Sequence, residues 1–207
     1  MFAWIFKHKS SACVLAYAFS VSCCEAMPNQ VIIVRHAERY GDTGYLAGQL
    51  NPQGLRRAGA LASFLTLSDP DTTNVSVLAN GPPTVIFASR PVADGSNNTT
   101  RCIQTISTTA TTLGLPVHAG FGYGQETALA DFILNNPRYD RQNVLICWHH
   151  PKIGDLVRAF GYPFNLDPYP HDRFDLVWLM TFPVPPNPLP LVPILQELLF
   201  NDPNTLP

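Results

Sequence analysis

Many apolar positions in this chain fall into short runs, and three of these runs are followed by polar residues able to do chemistry. Residues 30–34 read Gln-Val-Ile-Ile-Val, followed directly by Arg35 and His36. A continuous β-branched run of this length suits a strand buried on both faces, as in a parallel sheet. Residues 84–88, 143–148 and 175–182 repeat the pattern and predict three more strands. Between them the spacing changes. Leu55, Ala58, Leu61, Ala62 and Leu65 recur at helical intervals after the turn-like Asn51-Pro52-Gln53-Gly54. Helices are also predicted over residues 101–113, 127–134 and 154–160, with Gly114 as a C-cap of the first. Residues 68–83 and 89–100, rich in Asp, Asn, Gly, Ser and Pro, predict loops.

Strand and helix therefore alternate. That order predicts an α/β fold of three layers, a mainly parallel sheet flanked by helices. The chain has 207 residues, enough for one domain with a substantial core. Residues 27–207 are read as that domain, with the Pro-rich stretch to Pro193 and the apolar stretch 194–200 as a tail packed on it.

The first residues carry a different pattern. Lys7, His8 and Lys9 precede a short apolar run, and Cys24-Glu25-Ala26 supplies small residues for a cut. This is the layout of a secretory signal peptide over residues 1–26, so the expected location is secreted or within the secretory pathway, with no membrane attachment after cleavage. An uncleaved anchor is the alternative, although the run is short of the about 20 residues a span needs. Three Asn-x-Ser/Thr sequons, at Asn74, Asn97 and Asn98, agree with a glycoprotein. Beyond the leader only Cys102 and Cys147 remain, and they are read as buried thiols rather than a disulfide. Net charge is -2 with no Lys/Arg run, so no nucleic-acid partner is expected.

Three of the predicted strands end in chemistry. They deliver Arg35, His36 and Arg39; Ser89 with Arg101 after it; and His149 with His150. Open α/β sheets bind ligands at such strand ends. Arginine forks match phosphate oxygens and stay charged. Histidine serves as a nucleophile toward phosphorus or as an acid or base. The structural alternative makes Arg35 an ion-pair partner of Glu38 and the histidines ordinary core residues.

Val34-Arg35-His36-Ala37-Glu38-Arg39 after a buried strand resembles the opening motif of the histidine phosphatase superfamily, which includes the phosphoglycerate mutases. The usual third residue is Gly, where Ala37 stands. Arg101-Cys102-Ile103-Gln104-Thr105 and Cys147-Trp148-His149-His150 resemble its later segments, in the same order. The resemblance implies a phosphoglycerate mutase-like fold and a phosphomonoester hydrolase without metal or organic cofactor, acting on a small phosphorylated substrate. It implies that His36 is phosphorylated, that Arg35, Arg39 and Arg101 hold the phosphoryl oxygens, and that His150, preferred to His149 on spacing, completes the pocket. Glu126 is the candidate proton donor, with Asp131 second; an acidic residue favoured at a helix start is the other reading of Glu126. The wide gap between Ser89 and Arg101 makes Arg90 a competitor of Arg101. A phosphomutase of the same fold and a catalytically weak phosphate-binding protein are the alternatives. Specificity is expected in the loops 40–50, 91–98 and 120–124, where Tyr45, Phe121 and Tyr123 suggest an apolar wall. The substrate and the oligomeric state are not legible.

Overall fold

The computed structural model describes residues 27–41, 44–66, 78, 80–91, 99–163, 169–183, 194–195 and 202–203. The presumed leader and the Asn residues of all three sequons lie outside them.

Every predicted strand and helix is present. The strands are β1 (Gln30–Arg35), β2 (Val85–Ala88), β3 (Val117–His118), β4 (Asn143–Trp148), β5 (Leu176–Thr181) and β6 (Ile194–Leu195). The helices are α1 (Pro52–Thr66), α2 (Arg101–Leu113), α3 (Glu126–Leu134) and α4 (His150–Ala159). They build one sheet in the order β3-β2-β4-β1-β5-β6. The first four of these strands run parallel, while β5 lies antiparallel to β1 and β6 antiparallel to β5. The α/β, mainly parallel, helix-flanked architecture expected from the sequence is the observed one.

Alternation along the strands explains the layers. Ile32 and Val34 of β1 join Leu61 and Leu65 of α1 and Ile106 of α2 on one face. Val31 and Ile33 face the other way, against Leu129 and Ile133 of α3 and Leu156 of α4. Side chains two apart share a face of a strand, so a wholly apolar run requires cover on both sides.

The largest boundary difference is at α4, and two short strands were not expected. Helix α4 begins at His150, four residues before Gly154. Pro151 stands in its first turn, where a missing N–H is harmless and the fixed φ helps initiate the helix. Strands β3 and β6, of two residues each, have no periodicity to read. Cys102 and Cys147 are free and buried, as read from the sequence.

Candidate functional site

The register of the parallel strands sets the site. Arg35 is level with Trp148, and Ala88 is level with Cys147. Three strands thus end side by side, and the residues just beyond them are His36, Ser89 and His149. Two backbone bonds hold that edge together: His36 N–H donates to the Trp148 carbonyl at 3.2 Å, and Ser89 N–H to the Cys147 carbonyl at 3.1 Å. This is the carboxyl edge of the parallel strands, where the chain turns to helices on opposite faces.

His36 is buried, and its Nδ1 lies 2.8 Å from the Ala37 carbonyl. A carbonyl only accepts, so Nδ1 carries the proton and the Nε2 lone pair is left for chemistry. Burial holds the imidazolium of His36 well below its ordinary range, and the charges of Arg35, Arg101 and His149 oppose protonation further. The neutral form of His36 is therefore favoured near neutral pH.

Ala37 explains its own departure from the usual glycine. Its φ lies outside the left-handed region, since Arg141 is the described non-glycine residue with positive φ. Its methyl packs with Leu50 and Ala58. Its N–H donates to Thr105 Oγ1 at 2.9 Å, and the Thr105 hydroxyl donates to the Arg101 carbonyl at 2.8 Å. Thr105 thus ties the end of β1 to the start of α2.

Arg35 is buried against Phe174, its guanidinium carbon 3.9 Å from the ring centre. Its Nη1 donates to the carbonyls of Pro170, His171 and Arg173 at 3.2, 2.8 and 2.6 Å. Its Nη2 lies 3.2 Å from His150 Nδ1. Burial lowers its pKa to about 10, which still leaves it charged near neutrality. Its buried Nε–H has no hydrogen-bond partner. An orphaned buried donor is costly, and an anion beside it would remove that cost. Because arginine can only donate, His150 Nδ1 must accept, so neutral His150 carries its proton on Nε2 and offers a donor there.

Arg101 is buried at the start of α2, with Nε donating to Thr99 Oγ1 at 2.6 Å. Its charge is felt by both His36 and His149. Arg39 is half-buried and acts electrostatically on Arg35 and His150. Arg90 is exposed, and its Nη2 lies 3.4 Å from Gln125 Oε1. Glu38 receives Arg57, whose Nε and Nη2 donate to it at 2.6–3.0 Å. The acid inside the motif is thereby engaged away from Arg35.

Both later histidines reach the site. The ring of His149 lies 6.0 Å from that of His36, and the ring of His150 6.4 Å. Ring distance gives no preference between them, but their partners differ. His149 Nε2 is 3.0 Å from Ser89 Oγ, so Ser89 sits at the site through His149. His150 stands between Arg35 and His171, whose ring is 4.9 Å away. Burial, with Arg101 beside it, pushes His149 down to about 4. Burial, then Arg35, His171, His149 and Arg39, pushes His150 to about 4 as well. Phe174, the 170–173 carbonyls and the Ser89–His149 contact were not foreseen from the sequence. No motif marks a backbone acceptor.

Glu126 is buried at the first turn of α3. Its Oε1 accepts from Trp148 Nε1 and from Gly124 N–H, each at 2.9 Å. It thus grips the residue before His149 and the turn carrying Tyr123. Asp131 is exposed on α3. Of the three aromatics proposed as a wall, Tyr123 has its ring 5.6 Å from His149, Phe121 packs on Phe132, and Tyr45 is 97% exposed.

A pH dependence follows from three neutral histidines, His36 and His149 buried and His150 half-buried. The unfolded chain binds protons to them below about pH 6.5, whereas His149 and His150 in the folded protein resist until about 4. Folded stability should therefore fall as pH drops from 6.5 toward 4. The acid limb of kcat/KM, corrected for substrate ionisation, should lie nearer pH 4 than 6.5. An acid limb at ordinary imidazole pKa would contradict this placement of the rings.

Among the described residues no group of three or more His, Cys, Asp or Glu is arranged to hold a metal ion, and no helix is long and apolar enough to cross a membrane. No family model and no curated protein matches the sequence. Solved structures do match. The protein histidine phosphatase SixA, solved with tungstate, superposes with a TM-score of 0.50 over 73% of this chain and 87% of its own, at 18% identity. A mycobacterial glucosyl-3-phosphoglycerate phosphatase, solved with inorganic phosphate, matches with a TM-score of 0.42 over 73% and 88% at 14% identity. The superposition on SixA shows that this chain shares its α/β fold.

Proposed function

We propose that this protein is a phosphomonoester hydrolase that works through a phosphohistidine on His36. The observation that carries this reading is the state of His36: buried, neutral, with Nδ1–H given to the Ala37 carbonyl and the Nε2 lone pair open, beside two charged arginines. Such a group is a poor structural residue and a good nucleophile toward phosphorus.

In this reading His36 Nε2 attacks the phosphorus of a bound monoester while the ester oxygen leaves on the far side. Arg35, Arg39 and Arg101 hold the three non-bridging oxygens and offset the charge that builds on them. The Nε–H of Arg35, buried without a hydrogen-bond partner, is a candidate donor to one of them. His150 adds its Nε2–H, and His149 approaches from the Ser89 side. Water then attacks the phosphorus, the P–N bond breaks to restore neutral His36, and the water's proton passes to the Glu126 carboxylate left by the first step. The protein's preferred ligand is a small phosphorylated molecule, and the signal-like first 26 residues favour export.

Glu126 is assigned the proton for the leaving oxygen, and leaving-group dependence tests that role. With Glu126→Gln, an aryl phosphate whose phenolate leaves unaided should turn over nearly as in the wild type, while an alkyl phosphate should slow by about 10²-fold. Equal losses on both substrates would make Glu126 only the anchor of Trp148 and Gly124. Release of free phosphate from a chromogenic monoester separates the hydrolase from a mutase, which would return the group to another position. Phosphate binding without turnover would leave only the binding protein.

A further inference from the structure

Two ion-pair systems lie behind the site, and the chemistry above uses neither. Arg57 of α1 is 1% exposed and grips two carboxylates. Glu38 takes its Nε and Nη2, while Asp202 takes Nη1 at 2.8 Å and Nη2 at 2.9 Å. On the other side, Arg173 pairs with the buried Asp175 through two bonds of 2.7 Å, and its Nη2 reaches the Pro203 carbonyl at 3.4 Å.

Each arginine is one contact from the phosphate clamp. Glu38 lies between Ala37 and Arg39, and its backbone is tightly held. A Cβ on Gly54 would stand 2.0 Å from the Glu38 carbonyl oxygen, so α1 packs directly on that peptide. Movement of the Glu38 side chain is thus passed to the backbone carrying His36 and Arg39. The Arg173 carbonyl in turn accepts the shortest bond from Arg35 Nη1, at 2.6 Å. Residues 202 and 203 are adjacent in sequence and join both systems.

We infer that Asp202, with the Pro203 carbonyl, is a positioning clip: the late segment of the chain fixes the two walls of the phosphate pocket by holding Arg57 and Arg173. The inference rests on the phosphate-binding reading of the pocket. Asp202 touches no reacting atom. Its carboxylate shares a buried cation with Glu38, and removing one partner from a buried ion pair leaves charge less well compensated. The expected consequence is a displaced Glu38 peptide and a loosened Arg35, in a pocket where misplacement of about 1 Å is costly.

The test compares wild type, Asp202→Asn, Asp202→Glu and a chain ending at Asn201, each at a temperature where circular dichroism shows it folded. Calorimetry with inorganic phosphate should give a Kd about tenfold weaker for Asp202→Asn, with KM for an aryl phosphate rising in step and kcat changing less. Asp202→Glu should recover most of the loss. The imidazole ¹⁵N resonances of His36 and His150 should move in Asp202→Asn, because Arg35 contacts His150 directly. A purely stabilising role would lower the unfolding midpoint and leave Kd, KM and the resonances of the folded protein unchanged, which would overturn the clip. If wild type neither binds phosphate nor turns over ester, the functional reading fails. The resonances then still decide the clip: shifted they support it, unmoved they refute it. Should the shortened chain not fold, the two point variants carry the test.

Discussion

His36→Ala removes turnover of a phosphate monoester, by about 10⁴-fold or more, while the protein stays folded. The expected size follows from the role: a covalent nucleophile has no substitute in the pocket, and its loss leaves only binding and charge stabilisation. The expectation of retained fold follows from the contacts. The His36 ring gives one hydrogen bond, to the carbonyl of the next residue, and the strand-edge bond to Trp148 uses its backbone. The substitution leaves a cavity at a strand end, so a modest drop in unfolding midpoint accompanies it. Phosphate should still bind, because the arginines are intact. A variant that kept even a tenth of wild-type kcat would remove His36 from the chemistry, and neither Ser89 nor His149 is placed to take over without their mutual contact breaking.

The second large effect belongs to Arg101. Arg101→Ala should lower kcat/KM by about 10²–10³-fold, the usual cost of one donor that meets charge developing in the transition state. Arg101→Lys should recover only part, because a point charge does not reproduce a fork. Arg90 supplies the control. It is exposed and weakly tied to Gln125, so Arg90→Ala should change kcat/KM by no more than a few-fold. Steady-state kinetics on the three variants decides between the two arginines. Equal losses at positions 90 and 101, or a loss only at 90, would relocate the clamp. The Arg101 carbonyl, which receives Thr105, survives any side-chain change, so the link from α2 to Ala37 should persist.

Much of this was readable before the fold was known. Residues 31–34 and 144–148 are apolar without a break, which points to a strand covered on both faces. Their polar continuations had to emerge together at one edge, so His36, Ser89 and His149 could be grouped from pattern alone. Arg101 is favoured over Arg90 because Gln104 and Thr105 follow it as in the resembling motif, and it opens the helix that runs to Leu113. Other features left no local trace. Strand β5 runs antiparallel to β1, but an apolar run has no direction. The start of α4 was misplaced because Pro151 reads as a breaker unless it stands in a first turn. Arg35 owes its setting to three carbonyls about 135–138 residues away, which side-chain chemistry cannot announce. The Glu38–Arg57–Asp202 system joins three distant positions, and any acid would have served as well on paper. The choice between His149 and His150 was made on spacing. The fold brings both rings to within half an ångström of the same distance from His36 and separates them only by partner.

The central claim is a covalent phosphoryl group on one nitrogen. It is tested most directly by mixing the full chain with a ³²P-labelled aryl phosphate, quenching within the first turnover into alkaline denaturant, where a phosphorus–nitrogen bond survives, and mapping the label by proteolysis. The account predicts label on His36, at Nε2, up to one per chain, and none in His36→Ala. Turnover with no labelled protein, or label on His149, His150 or any other residue in place of His36, would contradict it.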